Sequence, residues 1–121
     1  MGQNKRKIGS EYERIAGAYL EKQGYEILEY NVYSRAGEID IVARDGQYLV
    51  FVEVKFRRDD YHGQALEAVS YTKQKNISKC ALSYLNKHRL WNVPVRFDVI
   101  GIMGQDITLI KNAFEFCGNG F

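Results

Sequence analysis

The run Gln47–Phe56, QYLVFVEVKF, constrains the fold of this chain more than any other segment. Side chains alternate along a strand, so Tyr48, Val50, Val52 and Val54 share one face, with Leu49 and Phe51 on the other. A strand that is apolar on both faces needs cover on both, and belongs at the centre of a sheet between two layers. The same run carries Glu53 and Lys55 on one face, separated only by Val54. Ionised groups in an apolar strand are costly unless they find a partner, a metal or a shifted pKa.

The neighbouring segment supplies a further carboxylate. Glu38–Arg44 (EIDIVAR) alternates as a strand and leads into Asp45-Gly46, a strong hairpin signal. With those two residues as the loop, Arg44 pairs with Gln47. Glu38 then stands opposite Glu53, and Asp40 stands opposite Phe51, diagonal to Glu53 and within reach of a shared ion. Two hard carboxylates plus waters are what Mg²⁺ takes from a protein that handles phosphates. A lysine beside that ion can orient an attacking water or neutralise phosphate charge. The plain alternative is a salt bridge of Lys55 with Glu53 or Asp40 on a sheet face that reaches solvent. Residue types alone leave the two readings level.

The remaining elements follow from periodicity. Tyr12, Ile15, Ala16, Tyr19 and Leu20 recur at helical spacing, which predicts a helix from Ser10 to Gln23, stopped at Gly24. Ser10-x-x-Glu13 has the form of a capping box, and on the residues alone that role for Glu13 stands ahead of metal ligation. Tyr25–Tyr33 reads as extended, and Arg35-Ala36-Gly37 breaks it. Arg57–Gly63 reads as a polar loop and Gln64–Ser70 as a short helix. A second clear helix, capped near Thr72, carries the stripe Ile77, Cys80, Ala81, Tyr84 and Leu85. Val95–Ile102 is a strand, and Asp106–Ile110 pairs with it after the Gly104 turn. From Asn112 onward the pattern assigns nothing. This order predicts one α/β domain over residues 1–121, a sandwich with a central mixed sheet and helices against it, with residues 1–8 as a basic, flexible N-terminal segment.

Charge is unevenly distributed along the chain. Residues 9–54 hold four basic and nine acidic side chains, and residues 55–96 hold nine basic and three acidic. An acidic block followed by a basic one suits metal-dependent chemistry on a polyanion, although such blocks also mix in space. Arg35, Arg57, Arg58, Lys73 and Lys75 are the candidate phosphate contacts, and Tyr61 and His62 are placed to stack on a base. For any one of them a solvated surface is the plainer reading. Cys80, Cys117, His62 and His88 form no zinc spacing. A single disulfide stays open, with Cys80 read as core. No apolar run approaches the ~18–20 residues of a membrane span, and Met1–Ser10 lacks the apolar stretch of a secretory signal, so a cytoplasmic location is expected.

Residues 37–57, GEIDIVARDGQYLVFVEVKFR, resemble the signature of the YraN family of uncharacterised bacterial proteins. That family is similar to archaeal Holliday-junction resolvases and the wider PD-(D/E)xK nucleases. Gly9, Glu13, Ala16, Tyr19-Leu20, Gly24-Tyr25, Asn31, Ala68-Val69, Lys73 and Arg96-Phe97-Asp98 extend the likeness over about residues 9–100. The resemblance implies a restriction-endonuclease-like fold, a three-layer α/β/α sandwich. It implies Asp40 and Glu53 as ligands of Mg²⁺ or Mn²⁺, with the Val54 carbonyl completing the shell. Lys55 is implied near the attacking water, and Glu13 as the first-helix glutamate of resolvase-like members. Ile39 stands where the superfamily's name has proline, and Tyr12 where glycine is usual before Glu13. The implied activity is metal-dependent phosphodiester hydrolysis of branched or structured DNA, with DNA ahead of RNA as partner and a homodimer as the cutting form. The alternative is a nucleic-acid-binding module that keeps the nuclease fold and does not cut.

Overall fold

The computed structural model describes residues 2–57 and 69–117, with side chains described for 9–56 and 69–117. Its elements are α1 (Gly2–Lys22), β1 (Glu26–Ser34), β2 (Gly37–Asp45), β3 (Tyr48–Arg57), α2 (Tyr71–His88), β4 (Val95–Met103) and β5 (Asp106–Phe114). The strands form one sheet in the order β1-β2-β3-β4-β5. β3 and β4 are parallel, joined by the crossover that contains α2, and every other pair is antiparallel. The chain is therefore α/β with a mixed sheet, and β3 is its middle strand, as its two apolar faces require.

Each face of β3 builds a separate core. Leu49 and Phe51 join Ile77, Cys80, Ala81, Tyr84 and Leu85 of α2, with Phe97 and Val99. Val50 and Val52 join Ala16 and Leu20 of α1, with Ile100 and Ile102. One helix thus covers each face. The α2 stripe is buried as its spacing predicts, but Ile15 of the α1 stripe is 46% exposed. α1 comes close to β1 at Gly17, where a Cβ would run into the hydroxyl and ring of Tyr30.

Several boundaries differ from the sequence reading. α1 starts at Gly2, so Ser10 lies inside the helix and the Ser10–Glu13 capping box does not form. Apolar periodicity marks where a helix packs, and good helix formers such as Gln3, Lys5, Arg6 and Lys7 carry it past that point. Its end is as expected: Gly24 takes φ +96°, and Tyr25 N–H donates to Leu20 O at 3.0 Å. The cap of α2 is Ser70, not Thr72, its side chain accepting from Lys73 N–H at 3.1 Å. Residues 64–68 of the expected short helix lie outside the described residues, while Val69 and Ser70 are non-helical. β5 runs on past Ile110 to Phe114. Cys80 and Cys117 are both free thiols.

The β2–β3 hairpin is shifted by two residues. Asp45 pairs with Tyr48 and Arg44 with Leu49, leaving Gly46-Gln47 as the loop, with Gly46 at φ +61°. Within the paired stretch Ile41–Asp45 a shift of two keeps each side chain on its expected face, because the strand period is two. It also moves Asp40 away from Phe51 and, by continuation of the register, level with Glu53. The regular ladder ends just before that point, at Ile41–Val52.

The pleat also reverses there. Ile39 and Ile41, two residues apart, belong to opposite cores, and so do Val32 and Tyr30 across the ladder. Pairing passes from Tyr30–Ile41 to Val32–Ile39, and between them stand Asn31 and Asp40. Asn31 has φ +56°, a left-handed conformation that asparagine tolerates better than most residues.

Candidate active site

Asp40 sits where the β2–β3 ladder stops. Its Oδ2 accepts the Val54 N–H at 2.8 Å, so a side chain replaces the missing backbone acceptor. In an extended strand the N–H and C=O of one residue face the same neighbour, so the Val54 carbonyl is directed into the same gap. Asp40 also lies within hydrogen-bonding reach of Glu53 and Glu13.

Four carboxylates converge here. Glu13, Glu38 and Asp40 each offer an oxygen, all within 4.8 Å of one another. Glu53, 4% exposed, joins through Asp40. Burial first, then the charge of Glu53, pushes the Asp40 carboxyl up to about 9, against the opposing pull of the Val54 N–H. Glu13 is raised as well, first by burial and then by Glu38, while a hydrogen bond from Asn31 opposes the rise. Crowding of this kind raises the cost of ionising all the carboxylates at once. The cluster's donors are all hard oxygens, the set that Mg²⁺ and Mn²⁺ take, so the residues present fit a divalent ion.

Two lysines answer the charge of Glu53. Its Oε2 lies 3.6 Å from Lys55 Nζ and 3.4 Å from Lys73 Nζ. The Glu53–Lys55 ion pair, the plain reading of the motif, is therefore present beside the acidic cluster. Lys73 comes from the first turn of α2. Lys75 lies 5.5 Å from the ring centre of Tyr71 instead. Arg35 is exposed in the turn between β1 and β2, which packs toward α2 through Gly37 and Asn76. Arg57 ends β3, but its side chain is not described; Arg58, Tyr61 and His62 lie outside the described residues.

The structure thus brings together Asp40, Glu53, Val54, Lys55, Glu13 and Lys73. It adds Glu38, read from sequence only as standing opposite Glu53, and Asn31, named only within the family likeness. Asn31 opposite an acidic strand residue was the available signal for its left-handed turn.

A second charged network is built into β4 and β5. Asp98 is fully buried and accepts from Tyr25 OH at 2.6 Å and from Arg96 Nε and a terminal guanidinium nitrogen, each at 2.9 Å. It also accepts the Asn112 N–H at 2.9 Å, close to the irregularity in the β4–β5 ladder. Arg96 reaches on to Asp45 at 2.7 Å and holds its carboxyl below the usual range. Every member is satisfied, and the network ties the hairpin to β4, so its role is structural.

The sequence pattern of the family described as "Uncharacterised protein family UPF0102" matches residues 12–102. The UPF0102 protein of Syntrophus aciditrophicus is 51% identical over 121 residues, covering 95% of this chain and 93% of that protein. That of Lachnoclostridium phytofermentans is 47% identical, covering 96% and 99%. That of Vibrio campbellii is 41% identical, covering 93% and 95%. No helix among the described residues is long and apolar enough to cross a membrane.

Proposed function

The chain belongs to the UPF0102 (YraN) family, and we propose that it is a nuclease-like protein that hydrolyses phosphodiester bonds in branched or structured DNA with Mg²⁺ or Mn²⁺. The observation that carries this reading is the convergence of Glu13, Glu38, Asp40 and Glu53 on a break in the sheet, with Lys55 and Lys73 beside them. Four acidic side chains held that close, two of them with raised pKa, create a demand for positive charge that a divalent ion meets. The flanking helices and the order of the elements agree with a restriction-endonuclease-like sandwich.

In this reading Asp40, Glu53 and the Val54 carbonyl hold the ion, with Glu13 and Glu38 completing the acidic wall. When bound, the ion supplies Lewis acidity and neutralises charge at the phosphoryl centre. Lys55, 19% exposed and fixed on the strand beside Glu53, orients the attacking water and offsets the charge that develops on phosphate. Arg35, Lys73 and Lys75, with Arg57 and Arg58, bind backbone phosphates along one side of the site. The cutting form is a homodimer, which would present two sites to a symmetric junction.

The test is cleavage of labelled duplex, single-stranded, flap and four-way-junction DNA, and of RNA, with Mg²⁺ or Mn²⁺. Asp40→Asn, prepared identically, is the control for contaminating nucleases. The reading predicts cutting by the wild type, most strongly of the junction or flap, and none by the variant. Salt-sensitive binding by both without cutting would replace it with a non-catalytic binding module. Cutting by both alike would remove the assignment of this site.

A further inference from the structure

A cation ligated by Glu53 competes with two lysines for the charge of one carboxylate. Glu53 is 5% exposed at the side chain, and its Oε2 is shared between Lys55 and Lys73. The two lysines are not equivalent. Lys55 is on the same strand, two residues away, and its side chain is only 19% exposed. Lys73 belongs to a different element and is 44% exposed, so its ammonium has solvent on one side and Glu53 on the other.

The position of Lys73 is also electrostatically unusual. It stands in the first turn of α2, a turn with no acidic residue, where the helix macrodipole disfavours a cation. Its amide is already committed to the Ser70 cap. Among the described residues Glu53 is the anion paired with the ammonium, and a phosphate arriving from solvent would be a further one. Lys73 can exchange partners without leaving a buried charge unpaired, because Lys55 stays on the same oxygen and the ammonium itself is open to solvent.

We propose that Lys73 couples nucleic-acid binding to divalent-cation binding at this site: without nucleic acid it occupies Glu53, and a backbone phosphate draws it off and frees Glu53 for the ion. This rests on the function proposed above and adds its regulation. The consequence is a site that loads its ion most tightly when a phosphate backbone is present. By linkage, the factor by which DNA tightens ion binding equals the factor by which the ion tightens DNA binding.

The experiment titrates Mn²⁺ into the full chain, alone and with a saturating short DNA duplex, and reads free Mn²⁺ by its EPR signal, with the duplex alone as blank. Wild type, Lys73→Met, Lys73→Arg and Lys75→Met are compared at matched thermal stability. Wild type should bind Mn²⁺ at least about fivefold tighter with the duplex than without it. Lys73→Met should bind Mn²⁺ alone about two- to fivefold tighter than wild type, and the gain on adding duplex should shrink by the same factor. Lys73→Arg should keep the wild-type pattern. Lys75→Met, which removes a charge from the same helical turn but not from Glu53, should leave the Mn²⁺ affinity without DNA nearly unchanged. A lysine that only contacted phosphate would weaken DNA binding and leave Mn²⁺ affinity without DNA where it was. That result, an equal gain in Lys75→Met, or no coupling in wild type would overturn the inference and leave the proposed function standing. Wild type that binds no Mn²⁺ under either condition would overturn both.

Discussion

Replacing Arg96 with methionine removes the guanidinium that answers a fully buried carboxylate. Met preserves most of the aliphatic stem, so the loss is electrostatic rather than a cavity. Asp98 keeps Tyr25 OH and Asn112 N–H but loses two charge-assisted hydrogen bonds of 2.9 Å. Breaking a buried pair from one side costs about 3–5 kcal/mol. Asp45 adds little, because it lies at the surface and retains Lys111 at 3.5 Å; such a contact is worth about 0–1 kcal/mol. A chain of 121 residues has a total stability of about 6–18 kcal/mol. With ~2.1 cal/mol/K per residue of unfolding entropy, the loss corresponds to a fall in Tm of ~12–20 °C. Urea unfolding of Arg96→Met, Asp98→Asn and the double variant forms a closed cycle. The double variant should be more stable than the sum of the singles by about 2 kcal/mol or more, because the neutral amide that replaces the Asp98 carboxylate no longer needs the guanidinium. Additive losses, or a cost below ~1 kcal/mol for Arg96→Met, would refute the account of β4 as held by this pair.

Other consequences are equally direct. Asp40 has a folded pKa near 9, well above its ordinary value, so its ionisation destabilises the metal-free fold progressively as pH rises from about 4 to 9. Asp40→Asn keeps an acceptor for Val54 and should flatten that slope in urea unfolding; identical slopes in both proteins would contradict the assignment. Mn²⁺ must displace the same proton, so calorimetry in buffers of different ionisation enthalpy should show about one proton released per ion at pH 7.5, and affinity should rise with pH until about 9. Asp45 shifts the other way: its lowered pKa contributes stability above its ordinary value of 3.8, lost as pH falls through the folded value. Arg96→Met should shrink that acid-limb contribution to the part that Lys111 supplies. Ser70→Ala removes the α2 cap and should cost ~0.5–2 kcal/mol in thermal or urea unfolding.

Much of this was legible in the residues. A strand apolar on both faces predicted its own central position and both cores. The stripe of α2 and the Gly24 stop were readable as patterns, as was the proximity of Asp40 to Glu53. The hairpin register was not, because Asp45-Gly46 and Gly46-Gln47 both supply a two-residue loop with glycine, and only long-range packing selects between them. The extent of α1 was missed because Gly2–Lys7 carries no apolar residue to announce a helix. The grouping of Glu38 with Glu13 depends on a pleat reversal that no local pattern announces. Arg96 and Asp98 showed only as charges in a strand, since the partners that justify their burial, Tyr25 and Asn112, are distant in sequence.

That reversal has a structural consequence of its own. Were Asn31 and Asp40 both absent, Ile39 and Ile41 would become neighbours on opposite faces, as would Tyr30 and Val32, and both strands would alternate without interruption. The two residues are thus a facing pair of supernumerary positions, spliced into an otherwise regular hairpin. The scaffold and the chemistry occupy separable parts of the sequence: a chain shortened by those two residues should still unfold cooperatively in urea, with its two cores intact and its Mn²⁺ affinity gone. The splice stands where β2 and β3 stop pairing and fork apart, so that Glu13 of α1 and Lys73 of α2 reach the same carboxylate cluster from opposite faces.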